Sequence, residues 1–305
     1  MPGRLKLISV VSVAFLLFVA SQSYARIWYV KQDGTGDAPT IRAAIDSASA
    51  NDTVLVAAGT YTQPPIDLYK RNLTIMSEEG PERTILHTSG AYIIGINLGG
   101  HNLIFKGFLF ENSSVAIATS SFCHDILIEE NIFRNNTEAA ISIFMSEAVI
   151  RDNLIYSNHD GVSLGEFSSA ELVQNTISHN TPGEGIAAWA SGLCDNSVHH
   201  NIISFNGIGV SGFCPDDFVC NDIFGNGSNV DPPPFGTNGN IAVDPQFCGV
   251  EPQVSGNYFL QSDSPCAPGN HPDEYPCGLI GRLPVGCQDT AVERMTWGAI
   301  KAIYR

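Results

Sequence analysis

The stretch VHHNIISFNG, residues 198–207, holds two asparagines, Asn201 and Asn206, with Ile202 and Ile203 between them. Asparagine is a poor strand former, and a buried amide must find hydrogen-bond partners. The arrangement nevertheless returns. GFLFEN, NIFRNN, NLIYSN, NTISHN, NIISFN and NDIFGN begin at Gly107, Asn131, Asn153, Asn175, Asn201 and Asn221, at spacings of 24, 22, 22, 26 and 20 residues. A repeat of that period built on short strands is the signature of a solenoid.

The columns of the alignment decide which solenoid. Three residues before each start lie Ile104, Ile128, Ile150, Leu172, Val198 and Phe218; two after it lie Leu109, Phe133, Ile155, Ile177, Ile203 and Ile223. The starts themselves give one asparagine column (Asn131, Asn153, Asn175, Asn201, Asn221), and the position five later gives a second: Asn112, Asn136, Asn158, Asn180, Asn206 and Asn226. Between copies, VAI (115–117), ISI (141–143), VSL (162–164), IAA (186–188) and IGV (208–210) alternate as half-buried strands do. Each repeat thus supplies three short strands separated by bends, with no helical periodicity. Stacking such repeats about 4.8 Å apart produces a parallel β-helix. Apolar columns then become a continuous core, and asparagine columns become amide ladders at bends whose left-handed backbone asparagine tolerates.

On these columns the chain resembles the right-handed parallel β-helix proteins of the pectin-lyase-like superfamily. The stretch IWYVKQDGTGDAPTIRAAIDSASANDTVLVAAGTYTQ, residues 27–63, adds to the resemblance. In that group a strand and a short helix cap the open end of the coil. Here Thr40 is placed to N-cap a helix whose apolar face is Ile41, Ala44, Ile45 and Ala48. The expected architecture is all-β, with eight or nine coils of roughly 22 residues. The expected division is a leader at 1–25, a strand and capping helix at 26–60, the β-helix at 61–245, a Cys-rich cap at 246–287 and a tail at 288–305. The resemblance implies that the cap closes the C-terminal end of the core. Cys194 and Cys214 each lie seven residues before an Asn-column start, so they should stack in adjacent coils and form a disulfide.

The first 25 residues read as a secretory signal: Arg4 and Lys6, an apolar run from Ile8 to Ala20, then Ser23-Tyr24-Ala25 as the cleavage site. No later stretch is apolar for long enough to span a bilayer. The chain carries 31 acidic and 15 basic residues; without the two basic residues of the leader its net charge is −18. That balance argues against nucleic acid or an anionic membrane as partner and permits cations or neutral glycans. Eight cysteines without a CxxC pair fit disulfides in an exported protein better than a zinc site. These features predict a secreted or cell-surface bacterial monomer.

The chemistry is harder to place. The residues read as facing outward from the third strands are Ala116, Ser142, Ser163, Ala187 and Gly209, none of which can bind a metal strongly or act as a base. The resemblance supplies motifs to look for, and they are broken. The esterase G-x-Y-x-E has Gly59 and Tyr61 but Gln63 in place of Glu. DIFG (222–225) falls in phase with the core repeat. PDD (215–217) lacks the companion motifs of polygalacturonases. What remains lies in loops: Glu138, Asp160 and Glu184 before three successive strands, His159 beside Asp160, and Phe144 and Trp189 after the strands. Aromatic faces pack on sugar rings, and carboxylates can bind hydroxyls or calcium, the one ion this set suggests. The plainer account is a solvated acidic edge. Glu129 and Arg151 are expected to stack as an exposed ion pair worth ~0–1 kcal/mol, with His199 following in a structural column. The expected role is a non-catalytic polysaccharide-binding or contact protein. The alternatives are a polysaccharide-active lyase, hydrolase or epimerase, and a purely structural envelope protein.

Overall fold

The computed structural model describes residues 25–88, 90–188, 196–212, 218–229, 236–249 and 251–287. Strands of two to seven residues wind into a right-handed parallel solenoid of about eight turns. Among the described residues they form three parallel sheets of nine, eight and seven strands. One turn runs from Glu147–Arg151 in the first sheet through Leu154–Tyr156 in the second to Asp160–Leu164 in the third. The next turn begins at Ser169–Val173, which pairs in register with Glu147–Arg151. Inward side chains of all three sheets fill the coil. Ile128, Ile150, Leu172 and Val198 are buried from the first sheet, and Phe110 stacks on Phe133 from the second at 5.0 Å between ring centres.

The bends explain the asparagines. The residue before each rung adopts a left-handed backbone: φ is 57° at Glu130, 54° at Asp152, 55° at Gln174, 59° at His200 and 55° at Cys220. Each asparagine then sits fully or almost fully buried. Asn201 Nδ2 donates to Leu172 O (2.8 Å) and to Asn221 Oδ1 (3.1 Å), and its own Oδ1 accepts from Asn175 N and Nδ2. The first ladder runs from Asn131 to Asn221 and continues to Asn240; the second runs from Asn136 to Asn226 and ends on Asn229.

Asn112 is not a rung. Leu109 pairs with Ile132 and Phe110 with Phe133, so the first copy is displaced by one residue from its sequence alignment. Ser113 takes the position instead, its N and Oγ both donating to Asn136 Oδ1, while Asn112 is exposed at the bend with φ 58°. Phe108, Leu109 and Phe110 are all buried, so the apolar pattern there carries no phase. The same shift puts Phe105, not Ile104, in the core. In the third sheet the outward column is Asp67, Gly95, Ala118, Ser142, Ser163, Ala187 and Ser211. Ala116 and Gly209, read from sequence as outward, lie outside this column and are buried, and Ala187 lies in the column but is itself fully buried.

At the N-terminal end the helix Ile41–Ser47 covers the coil through Ile41, Ala44 and Ile45, with Thr40 Oγ1 accepting from Ala43 N (3.1 Å). Asp52 ties the first strand down by accepting from Arg26 N, Ser49 N and Trp28 Nε1. The C-terminal segment does more than close the far end. Phe247, Tyr258, Leu260, Cys266, Cys277 and Ile280 form a second core against Leu154, Tyr156 and Ile202 on the outer face of the second sheet. Disulfides Cys220–Cys277 and Cys248–Cys287 fasten this clasp. Among the described residues Cys123 and Cys266 are free and buried. Cys194, Cys214, the tail and the leader up to residue 24 lie outside the described residues. No described helix is long and apolar enough to cross a membrane.

Candidate functional site

Six of the seven strands of the third sheet begin on one column: Tyr92, Val115, Ala139, Asp160, Glu184 and Ile208. Asp160 and Glu184 are therefore neighbours on successive coils. Glu138 is one residue outside the column and exposed, its backbone carbonyl accepting from Asp160 N (2.8 Å). Asp160 Oδ1 accepts from Glu184 N (2.8 Å) and lies 3.1 Å from His159 Nδ1. Glu184 Oε2 accepts from Ser211 Oγ. The carboxylates that the sequence groups together are thus committed to bonds running from coil to coil. Gly183 belongs to this packing, since a Cβ there would collide with Asp160 Oδ1. Phe144, at the other end of its strand, is 40% exposed. Trp189 lies outside the described residues.

Beyond Phe144 the corner between the third and first sheets carries residues that sequence reading missed. Phe122 is 68% and Phe167 67% exposed. Met145 lies on the intervening coil: Phe122 N donates to Met145 O (2.6 Å) and Met145 N to Glu166 O (3.0 Å). All three have left-handed backbones, with φ of 60°, 46° and 54°. That conformation costs a residue with a β-carbon about 1–2 kcal/mol, which glycine would avoid. With Cys123, His124, Ser146 and Glu147 they line a shallow open groove. His124 stacks on His101 at 4.7 Å and 9° between planes, and His101 pairs in register with Arg71. The thiol of Cys123 points inward at the carbonyls of Asn97 and Ser120, both at 3.4 Å, and burial pushes its pKa up, which disfavours the thiolate. The signal for this column was an aromatic two residues before the first-sheet strand in SFCHD and EFSSA.

On the first sheet's outer face the Glu129–Arg151 pair is more enclosed than its sequence suggests. Glu129 is 7% exposed and accepts from Lys106 Nζ (2.8 Å) and from Arg151 Nε and Nη2 (2.9 and 2.6 Å). Those cations together hold its carboxyl below the usual range against the opposing effect of burial. Further along, Val173 follows Arg151, and His199 follows Val173. His199 Nε2 lies 3.1 Å from Glu171 Oε1, and its Nδ1 lies 3.4 Å from Nδ1 of His200. Among the described residues no three His, Cys, Asp or Glu side chains are grouped to hold a metal ion.

A family model described as "NosD: Periplasmic copper-binding protein (NosD)" matches residues 45–263. Among solved structures the chain is similar to a pectin methylesterase in complex with a hexasaccharide (12% identity over 64% of this chain and 70% of that one, TM-score 0.42). It is also similar to the A-module of a mannuronan C-5 epimerase from Azotobacter vinelandii (14%, 61% and 71%, 0.37) and to a pectate lyase (11%, 87% and 97%, 0.39). No curated protein matches.

Proposed function

The chain belongs to the NosD family of periplasmic β-helix proteins, and from that premise we propose that it is an exported binding scaffold that contacts polysaccharide along one corner of its coil. The observation that carries this reading is the column of Phe122, Met145 and Phe167 on successive coils, its two phenylalanines exposed and all three residues held in strained backbone, with Phe144 exposed beside it. Exposed aromatics aligned along the solenoid axis offer sugar rings a series of apolar faces. In this reading residues 1–25 are removed on export, residues 288–305 form a separate tail, and the protein acts as a monomer. Binding without catalysis is supported by the internal commitments of Asp160 and Glu184. The same commitments weigh against calcium at the strand starts. Glu138 and His159 lie at the far end of the strand from Phe144 and would contribute at most a rim.

Copper is the ion named by the family's description, and the donor inventory bears on it. Cys123 faces backbone carbonyls, Cys266 is sealed under the clasp, and four cysteines are in disulfides. His199 and His200 turn their Nδ1 atoms towards each other at 3.4 Å as a hydrogen-bonded pair, and no third described His, Cys, Asp or Glu is grouped with them to hold a metal ion. The described donors therefore do not fit a copper(II) ion, which takes square-planar or tetragonal sets of nitrogen and oxygen.

The glycan reading is tested with a glycan array and a turnover assay on uronate polymers, comparing the wild type with Phe122→Ala/Phe167→Ala. The expected result is binding without turnover, weakened about tenfold in the variant at unchanged melting temperature, because each aromatic contact is worth about 0.5–1.5 kcal/mol. Turnover by the wild type, or binding indifferent to both phenylalanines, overturns it.

A further inference from the structure

We propose that the corner groove selects a glycan with a single carboxylate-bearing sugar at one end of the bound stretch, seated on Arg71, His101 and His124, with neutral sugars running on over Phe122 and Phe167. The proposal rests on the glycan reading of this corner and names the chemistry of its ligand.

The corner extends further than its phenylalanines. Tyr69 follows the strand Ile66–Leu68, and Leu98 stands two residues beyond Tyr92–Ile96. Leu68 pairs with Ile96 and Ile96 with Thr119, so Tyr69 and Leu98 occupy the two coils before Phe122. Each is 66% exposed. Large apolar side chains thus stand at this corner on five successive coils, from Tyr69 through Leu98, Phe122 and Phe144 to Phe167, a line of ~19 Å at the inter-strand spacing. An extended ligand covers such a line, whereas a compact one leaves most of it in water.

Charge divides this line in two. The chain carries 31 acidic residues against 15 basic ones, yet the first-sheet flank of the corner opens with Arg71, His101 and His124, in register on its first three coils. Arg71 is exposed, and among the described residues its guanidinium has no hydrogen-bond or ion-pair partner. It leans towards the corner: a β-carbon on Gly99, beside Leu98, would lie 3.4 Å from Arg71 Nη2. The guanidinium fork matches a carboxylate through two parallel hydrogen bonds. Neither ring nitrogen of His101 is bonded to a described residue, and even a neutral imidazole offers one N–H. The His124 ring stacks on it, with Nδ1 taken by Asp125 Oδ2 at 2.6 Å. The neighbouring charges are committed: Asp67 Oδ1 accepts from Tyr92 OH and Asn97 Nδ2, and Lys70 Nζ donates to Asp46 O and Ala48 O. The last two coils carry Glu147 and Glu166 instead, both exposed and without a partner among the described residues. A polyuronate brings carboxylates along its whole length, so its far end would lie against these two like charges. A carboxylate at the Arg71 end alone meets the cation and avoids them.

The test is a glycan array that carries neutral chains, the same chains with one uronic acid at either end, and homopolymers of uronic acid, followed by calorimetry on the matched oligosaccharides. The expected result is that one of the two singly acidic forms binds about tenfold tighter than both the neutral chain and the homouronate, as a hydrogen bond to a charged group allows. Arg71→Gln/His101→Gln should bring that form down to the neutral level, with the affinity of the neutral chain and the melting temperature unchanged. Arg71→Gln alone, at an exposed position, keeps the test valid if the double variant misfolds. Glu147→Gln/Glu166→Gln should strengthen homouronate binding severalfold, and added salt should shrink the preference for the singly acidic chain. Equal binding of neutral and singly acidic chains, tightest binding of the homouronate, or a preference that survives the loss of Arg71 overturns the proposal and leaves the glycan reading standing. Absence of binding to every chain on the array overturns both.

Discussion

Asn206 Oδ1 accepts two hydrogen bonds from Asn180, from N at 2.9 Å and from Nδ2 at 3.0 Å, and Asn206 Nδ2 donates to Ile177 O and to Asn226 Oδ1. Replacing it with leucine removes partners from groups on both neighbouring coils, and each buried group left unpaired costs about 1–3 kcal/mol. Asn206→Leu is expected to lose about 3–5 kcal/mol in urea unfolding, since some of these groups keep a second bond. Asn112→Gly keeps the left-handed turn at an exposed position, and should stay within about 0.5 kcal/mol of wild type. Equal losses in the two variants would refute the ladder as the origin of the repeat. The pair also marks the limit of reading at this scale. Ten of the eleven asparagines picked from the columns are rungs, because five later copies share one phase. The first copy contains three buried apolar residues in a row, Phe108 to Phe110, so nothing in its pattern separates Asn112 from Ser113. Asn240 escaped notice because the stretch before it no longer keeps the repeat.

The clasp shows what an element's sequence hides. It was expected over the open end of the coil, yet its second core lies along the second sheet. The sign was present in the sheet, whose outward positions Leu154 and Ile202 are apolar where a solvated face would be polar. Asp222 sits in the same outward column and is fully buried by the clasp. Its Oδ2 accepts from the Cys266 thiol and its Oδ1 from Val243 N, both at 3.1 Å; the other charged group bearing on it is Asp244, which also disfavours ionisation. Burial pushes its pKa up to about 7 from 3.8. A carboxyl raised on folding stabilises the fold fully below its unfolded pKa, and that contribution disappears as pH rises towards the folded one. Across about three pH units at ~1.4 kcal/mol each, this amounts to roughly 4 kcal/mol. Wild type should therefore lose stability between about pH 4 and 7, and Asp222→Asn should flatten that slope when urea midpoints are compared across pH. An unchanged slope in the variant would mean that the carboxylate finds a partner other than these two.

For the whole molecule, stability in a solenoid is close to a sum over coils and their interfaces, so coils can be removed one at a time. Residues 131–152 make one complete turn from rung to rung, and deleting them joins Glu130 to Asn153 in the register that Asn131 had. The shortened chain should keep its β-sheet circular dichroism and melt several degrees lower, having lost one layer of core. It would also lose Phe144 and Met145 and bring the coil of Phe167 against that of Phe122. Glycan affinity should therefore change. This contrast also explains why the fold was legible and the sites were not. Every architectural column is written five or six times, so a displaced copy does not alter the reading. Phe122 and Phe167 stand at a corner where the copies differ in length. If the deletion abolished folding, the coils would not be independent layers, and the additive account would fail.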